Sequence, residues 1–347
     1  MIYTEKSRGE PDIPPKQFSL LGLADDTTGA LEVGAAFAEA GIRTEVTLEA
    51  EPEPGACDAL VVDAGARHAA AAAARRRIEE LARRFPADFV FKKTDSTLRG
   101  HIRAEFEGLL AARREARVIY APAYPAQGRT VRNGILYING LPFEQTGYAR
   151  DPFSPSAGGD VRKLVEGLAV AVVDGETDAD LERAAALLPR LGAGTGAFAK
   201  AWARLLPVPR EARRRRLYGE RPLVACGSLH PVSQEQVQRA PQQGVVRPAG
   251  PADSDPHEVA GELARRVRRA MESGRYDALV VFGGDTARAV LEELGARRFE
   301  PLGEVLPGVP VSALRFAGRE LPLVTKAGGF GEPDVVERIR RWLRGLQ

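Results

Sequence analysis

The chain has 347 residues, 44% hydrophobic and 28% charged, an ordinary soluble composition with length for two domains of roughly 100–200 residues each. With 49 basic against 47 acidic residues, its net charge gives no sign of a nucleic acid or anionic membrane partner. Two distant cysteines, Cys57 and Cys226, argue against a disulfide framework or a Cys/His metal site, and no apolar run reaches transmembrane length. A cytoplasmic protein is the expectation.

Residues 1–16 are polar and proline-containing and read as a loose tail. An apolar run, 18–23, then ends in Ala24-Asp25-Asp26-Thr27-Thr28-Gly29 and is followed by an alanine-rich helical pattern over 30–40. Adjacent carboxylates at a strand's C-terminal edge sit where ligands bind in open α/β sheets. One of them can cap the helix, which leaves the other to explain.

Strands are expected at 44–48 and 59–62, and a helix at 69–85. A strand at 88–91 runs into Lys92-Lys93-Thr94-Asp95-Ser96-Thr97-Leu98-Arg99-Gly100-His101. Strand ends are where α/β enzymes place chemistry, and an arginine such as Arg99 can grip a carboxylate with two hydrogen bonds. A helix follows with Ile102, Phe106, Leu109 and Leu110 on one face. A strand at 117–121 leads to a Pro- and Gly-rich loop, 121–129, that could line a site. Residues 131–143 read as a hairpin turning at Asn139-Gly140. A loop is expected at 151–155, a strand at 168–173 and a helix at 180–188. Leu191-Gly192-Ala193-Gly194-Thr195-Gly196-Ala197 is not G-x-G-x-x-G and reads as a turn into a helix over 198–206.

Proline-bearing residues 206–221 mark a linker. Beyond it the chain places glycines at three strand exits: Cys226-Gly227-Ser228, Phe282-Gly283-Gly284-Asp285-Thr286, and Lys326-Ala327-Gly328-Gly329-Phe330-Gly331. Glycines permit a sharp turn and close approach of a ligand, and the helix start that follows is an anion site. Three such exits on one sheet edge suit a nucleotide phosphate. No Walker A motif occurs. Only seven of the 49 basic residues are lysines, and Lys92, Lys93 and Lys326 fall inside these motifs, where an ammonium rather than a guanidinium is expected. His101 and His230 are further candidate ligands or bases.

With these motifs assembled, the chain resembles the four-carbon acid sugar kinases, ATP-dependent enzymes with a sugar-binding N-terminal and a nucleotide-binding C-terminal domain. The resemblance rests on residues 24–30, 92–100, 227–228, 283–287 and 326–331, in family order and over most of the chain. It implies that the first two motifs face the acid sugar and that Ser228, Gly283 to Thr286 and Gly328 contact ATP.

The expected fold is therefore α/β, with two domains, each a largely parallel sheet flanked by helices, and a cleft between them. Residues 17–205 would bind the acid, 206–221 link, and 222–347 bind the nucleotide. The expected reaction moves the ATP γ-phosphoryl group to a hydroxyl of a threonate-, erythronate- or 3-oxo-tetronate-like acid, with Mg²⁺ bridging the phosphates through unidentified ligands. Asp26 is the expected base, with Asp25 or Asp95 as substitutes. Arg99 and Lys93 would take the carboxylate, with Asp25, Asp95 and Ser96 in the same site. Ser228, Gly283, Gly284, Asp285, Thr286, Lys326, Gly328 and Gly329 would hold ATP. No nucleic acid or membrane partner is expected, and a homodimer stays open. The alternatives are a non-catalytic sugar-acid and nucleotide sensor, and an NAD-dependent sugar-acid dehydrogenase, which would lack its G-x-G-x-x-G.

Overall fold

The computed structural model describes residues 18–48, 57–113, 117–150, 158–211, 215–240, 244–248 and 256–346. The expected tail at 1–16 and loop at 151–155 lie outside them.

The N-terminal part contributes β1 (Phe18–Ala24), β2 (Thr44–Leu48), β3 (Ala59–Asp63), β4 (Ala87–Lys93) and β5 (Val118–Ala121). A separate antiparallel sheet of β6 (Arg129–Arg132), β7 (Ile135–Ile138) and β8 (Leu141–Pro142) follows, then β9 (Val170–Val172) and β10 (Leu191–Gly194). The main strands run parallel in the order β2-β3-β1-β4-β10-β5-β9. They are near-continuous apolar runs because both sheet faces are covered; Leu20, Leu21 and Leu23 are all fully buried. The covering helices are α1 (Thr27–Glu39), α2 (Ala71–Arg84), α3 (Ile102–Ala112), the short α4 (Val161–Leu164), α5 (Asp178–Ala185) and α6 (Gly196–Leu205). The chain winds from β1 towards β2 on one side and returns to β4 on the other. The exits of β1 and β4 therefore flank a topological switch point, where open α/β sheets bind ligands.

The C-terminal part contributes β11 (Pro222–Cys226), β12 (Val245–Val246), β13 (Ala278–Phe282), β14 (Arg298–Leu306), β15 (Val309–Phe316) and β16 (Arg319–Lys326). Its helices are α7 (Pro231–Arg239), α8 (Pro256–Glu272), α9 (Gly284–Glu293) and α10 (Val335–Leu343). Strands β12-β11-β13-β16 are parallel, and β16-β15-β14 form an antiparallel meander.

The two parts do not keep separate sheets. Strand β14 pairs antiparallel with β2, with Arg298 opposite Thr47 and Phe299 opposite Val46, so one 13-stranded sheet runs through the molecule. Two edges that would otherwise expose unpaired backbone satisfy each other. The sequence reading assigned nothing to 298–316, and with that meander it missed the junction.

Two local readings are corrected. Residues 191–194 are a buried strand inserted between β4 and β5, not a turn. Glycines suit that slot: a Cβ on Gly192 would meet Phe91 and Trp202 at 3.3 Å, and one on Gly194, at φ 151°, would strike the Ala121 carbonyl. Residues 129–142 form three strands with two Asn-Gly turns, Asn133-Gly134 and Asn139-Gly140, all four residues at positive φ.

Candidate active site

The exit of β1 separates its two carboxylates. Asp26 caps α1, with Oδ1 accepting from Gly29 N at 2.8 Å and Oδ2 from Thr28 Oγ1 at 3.0 Å. Asp25 turns into the protein, where its carboxylate pairs with Arg67 Nε. Burial opposes ionisation of Asp25, but Arg67 and Lys92 outweigh it and hold the carboxyl below its ordinary range. Arg67 also reaches Asp26 Oδ2 at 3.3 Å and Asp95 Oδ1 at 3.5 Å, gathering three carboxylates around one buried guanidinium. The sequence reading did not single out Arg67. Its signal was the β3 exit, Asp63-Ala64-Gly65-Ala66-Arg67-His68, which carries the same polar chemistry as the exits of β1 and β4.

At the exit of β4, Asp95 is gripped by Arg99 through Nε and Nη2 at 3.0 and 2.9 Å and capped by the Thr97 amide at 2.9 Å. Burial works against the charged form, and Arg99 and Arg67 override it, so the carboxyl sits well below its usual range. The bidentate grip expected of Arg99 is therefore made on Asp95 inside the protein. The two lysines diverge. Lys92 is fully buried and pairs with Glu105 at 2.5 Å, whereas Lys93 pairs with Glu32 at 3.2 Å and lines the pocket.

On the C-terminal side the three glycine exits converge. A Cβ on Gly283, at φ 107°, would meet Thr286 Oγ1 at 3.1 Å and Ser228 N at 3.3 Å. One on Gly328 would meet Ser228 Oγ at 2.6 Å, and one on Gly329 would meet Tyr148 Oη at 2.9 Å. With Gly283 at its N-cap, α9 has no side-chain cap, so its first-turn amides present the positive end of the helix. His230 caps α7 through Nδ1 at 3.2 Å from Val232 N and stacks on Tyr148 with ring centroids 5.8 Å apart.

Lys326 departs from expectation. Thr325 and Ala327 line the pocket, and strand alternation sends Lys326 to the opposite face. There Nζ donates to the carbonyls of Ala327 at 2.8 Å and Phe330 at 2.9 Å and lies 4.7 Å from the Phe282 ring centroid. Burial brings its ammonium down to about 7. It shapes the 327–330 loop from behind. His101 merely precedes α3, without a side-chain cap bond.

The pocket at the exits of β1 and β4 and the glycine loops meet directly. The pocket is lined by Asp26, Thr28, Gly29, Glu32, Lys93, Asp95, Ser96, Arg99, Tyr124 and Thr195 on one side, and by Gly308, Pro310, Thr325, Ala327 and Phe330 on the other. Gly284 sits against Asp26 and Thr28: a Cβ there would lie 3.2 Å from Asp26 Oδ2. Further ties cross the junction. His68 Nε2 lies 3.0 Å from Asp285, Arg288 lies 3.1 Å from buried Asp63, and Tyr124 packs edge-on to Phe330. The pocket volume is about 30 Å³, room for water but not for a substrate. Among the described residues no group of three or more His, Cys, Asp or Glu is placed to hold a metal ion.

A polar pocket and glycine-bearing strand exits that meet at one carboxylate suit group transfer between two bound ligands. Comparison with known proteins narrows this class. Residues 20–168 match a family model described as a sugar-binding N-terminal domain, and residues 249–336 match one described as a nucleotide-binding C-terminal domain. A D-threonate kinase of Cupriavidus necator is 30% identical, spanning 90% of this chain and 95% of its own length. A D-threonate kinase of Bordetella bronchiseptica is 29% identical, spanning 93% of this chain and 96% of its own. A crystal structure from Salmonella typhimurium LT2 superposes with a TM-score of 0.76 over 93% of this chain and 99% of that one, at 20% identity, a likeness of fold. A Bordetella bronchiseptica structure with bound citrate, a domain-swapped dimer, has a TM-score of 0.50 at 27% identity over 95% of this chain and 99% of that one. The chain belongs to the four-carbon acid sugar kinase family.

Proposed function

We propose that the chain transfers the γ-phosphoryl group of ATP to a hydroxyl of a four-carbon sugar acid of the threonate, erythronate or 3-oxo-tetronate type. The observation that carries this reading is the contact of Asp26 with Gly284. The only carboxylate of the Asp25-Asp26 pair that lines the pocket abuts the uncapped start of α9. Phosphoryl transfer needs donor and acceptor in line, charge neutralisation at the phosphate and a group to take the hydroxyl proton. Asp26 Oδ2 takes that proton, while Oδ1 stays committed to capping α1 and fixes the carboxylate. Asp25 does not line the pocket and Asp95 is held by both Arg99 and Arg67, so these two position the site, whereas Asp26 lines the pocket with Arg67 no nearer than 3.3 Å.

The acid's carboxylate faces Lys93, Arg99 and Ser96 at the exit of β4. ATP lies along the loops of Ser228, Gly283 to Thr286, Gly328 and Gly329. The fit is supported by glycines whose added Cβ atoms would crowd Ser228, His230 and Thr286, so the loops form a close-packed backbone cradle. Lys326 holds that cradle from behind. Mg²⁺ commonly uses one or two protein carboxylates plus phosphate oxygens. When bound, it neutralises phosphate charge.

Catalysis in a closed form keeps water from the phosphoryl group. Substrate entry requires opening at the linker 206–221, whose Glu211 amide is tied to Gly41 of the first domain and whose Arg215 pairs with Glu300 and Glu320 of the second. The β2–β14 pairing must flex with it. The proposed domains are 17–205 for the acid and 222–347 for the nucleotide. Buried, unbridged Cys57 and Cys226 suit a reducing cytoplasm. No helix among the described residues is long and apolar enough to cross a membrane. Assembly as a homodimer is part of the proposal, since the Bordetella relative is dimeric in its crystal. The test is ADP release with Mg-ATP over a panel of four-carbon hydroxy and oxo acids. Acid-dependent release is expected. ATP binding with no turnover of any acid would favour a sensor.

A further inference from the structure

Among the described residues Lys92, Lys93, Arg129 and Lys326 are buried cations. Lys92 and Lys93 answer Glu105 and Glu32. Lys326 has no carboxylate beside it, but an amine can release its proton, and burial brings this one down to about 7. Arg129, at the start of β6, has neither remedy. It is 4% exposed, and among the described residues no carboxylate pairs with it. A guanidinium stays charged in a protein interior, and a buried charge without a counter-charge is costly. The partners of Arg129 are neutral. Nη1 donates to the Gln127 carbonyl and Nη2 to Tyr148 Oη at 3.2 Å, while buried Nε has no partner. The ring centroids of Tyr148 and Phe330 lie 5.5 and 5.4 Å from the guanidinium carbon, cation–π contacts that offset part of the cost.

The surroundings place this charge at the nucleotide loop. Gly128, at φ 69°, turns the chain so that Tyr124 and Arg129 oppose each other in an antiparallel bridge, with their side chains on one face. From there the N-terminal part clasps the 327–330 loop of the C-terminal part. Tyr124 and Arg129 both meet the Phe330 ring, and Tyr148 stacks on His230 with its Oη 2.9 Å from where a Cβ on Gly329 would be. Lys326 donates to carbonyls of the same loop, so two cations without carboxylates border it.

We propose that a phosphate oxygen of the bound nucleotide replaces Tyr148 Oη on Arg129, so that the N-terminal part itself supplies a cation to the phosphates held by the C-terminal glycine loops. This rests on the nucleotide cradle of the reading above and adds to it a ligand from across the junction. Nε and Nη2 form one edge of the guanidinium fork. Arg99 uses that edge to grip Asp95 with two bonds, whereas on Arg129 a single phenol oxygen touches it and Nε is left over. Tyr148 Oη stands against Gly329, so a phosphate that approaches this glycine displaces it. Nη2 then exchanges a neutral acceptor for an ionised one, and Nε gains a partner; such charge-assisted bonds are roughly twice as strong as neutral ones. Because the cation comes from the acid-binding side, the phosphates are fully neutralised only when the two parts meet.

The test measures the affinity of the full chain for Mg-ATP and for adenosine by calorimetry, in wild type, Arg129→Met and Arg129→Lys. Adenosine carries no phosphate. Arg129→Met should weaken ATP binding at least about tenfold and leave adenosine within about twofold, the scale of a lost hydrogen bond to a charged group. Arg129→Lys keeps the charge without the fork and should restore part of the ATP affinity. An arginine that only supports the fold would lower both affinities together. Because a change at a buried position can affect folding, a crystal structure of the wild-type chain with a non-hydrolysable ATP analogue gives an independent reading: Nε or Nη2 should lie within about 3.2 Å of a phosphate oxygen. Equal weakening of ATP and adenosine, unchanged ATP affinity in folded Arg129→Met, or an analogue complex with Arg129 still on Tyr148 and no phosphate oxygen in reach would overturn the assignment. Wild-type chain that binds neither ATP nor its analogue would overturn the nucleotide cradle itself, and this inference with it.

Discussion

Gly284 and Asp26 touch across the junction of the N- and C-terminal parts: a Cβ on the glycine would lie 3.2 Å from Oδ2 of the aspartate. They stand at the starts of α9 and α1, so two helix N-termini point at one spot. Each N-terminus favours negative charge. A phosphoryl group passing between the domains would meet both.

Asp26→Asn separates capping from chemistry. Asparagine caps a helix about as well as aspartate, so the melting temperature should change by little. Proton acceptance is lost, and kcat should fall by about 10²–10⁴-fold while binding of ATP and acid is retained. Steady-state kinetics with thermal shift reads both. Full activity in the asparagine variant would exclude Asp26 as the base.

Gly283→Ala tests the nucleotide cradle. At φ 107° an alanine is strained, at a cost of about 1–2 kcal/mol, and its methyl would press on Thr286 and Ser228. ATP affinity by calorimetry should drop about tenfold or more, with acid binding unaffected. The reverse pattern would exchange the domain roles.

Arg67→Ala should be among the most destabilising single changes in the protein. It strands Asp25, buried and unpaired, and losing one partner of such a pair costs about 3–5 kcal/mol. The sign of the pH effect follows. Asp25 is depressed in the folded state, so its contribution is present above the ordinary carboxylate value, about 3.9, and is lost as pH falls through its lowered value. Denaturant melts of the variant should lose that acid dependence.

The pair of His68 and Asp285 should make the tie between the two sides of the junction respond to pH. The hydrogen bond to Asp285 raises the imidazole above its ordinary value. Its contribution to that tie is complete below about 6.5 and fades as pH rises through the raised value. The radius of gyration of ligand-free protein should therefore grow between pH 6 and 9, and His68→Gln should flatten that change.

Much of this was legible in the sequence because strand exits announce themselves. Residues 24–29, 92–100 and 283–286 each join an apolar strand to a helix through polar or glycine turns, and all three lie at the junction. What escaped notice depends on contacts between distant segments. Arg67 gains its role from three carboxylates on two other strand exits. Glu32 reads as one more polar residue of an alanine-rich helix until Lys93 and Gly196 are placed beside it. Lys326 shares its motif with the glycines, but strand alternation turns it away from the cleft. The strand at 191–194, made of small residues, has no hydrophobic signature, because its slot between β4 and β5 leaves no room for larger side chains.

The central claim is direct transfer from nucleotide to acid at Asp26, and phosphorus NMR of the reaction products tests it most directly. With wild-type chain, Mg-ATP and the best four-carbon acid, a new phosphomonoester resonance should grow in step with ADP and be nearly absent with Asp26→Asn. Inorganic phosphate as the only product beside ADP, or an undiminished monoester in the asparagine variant, would contradict it.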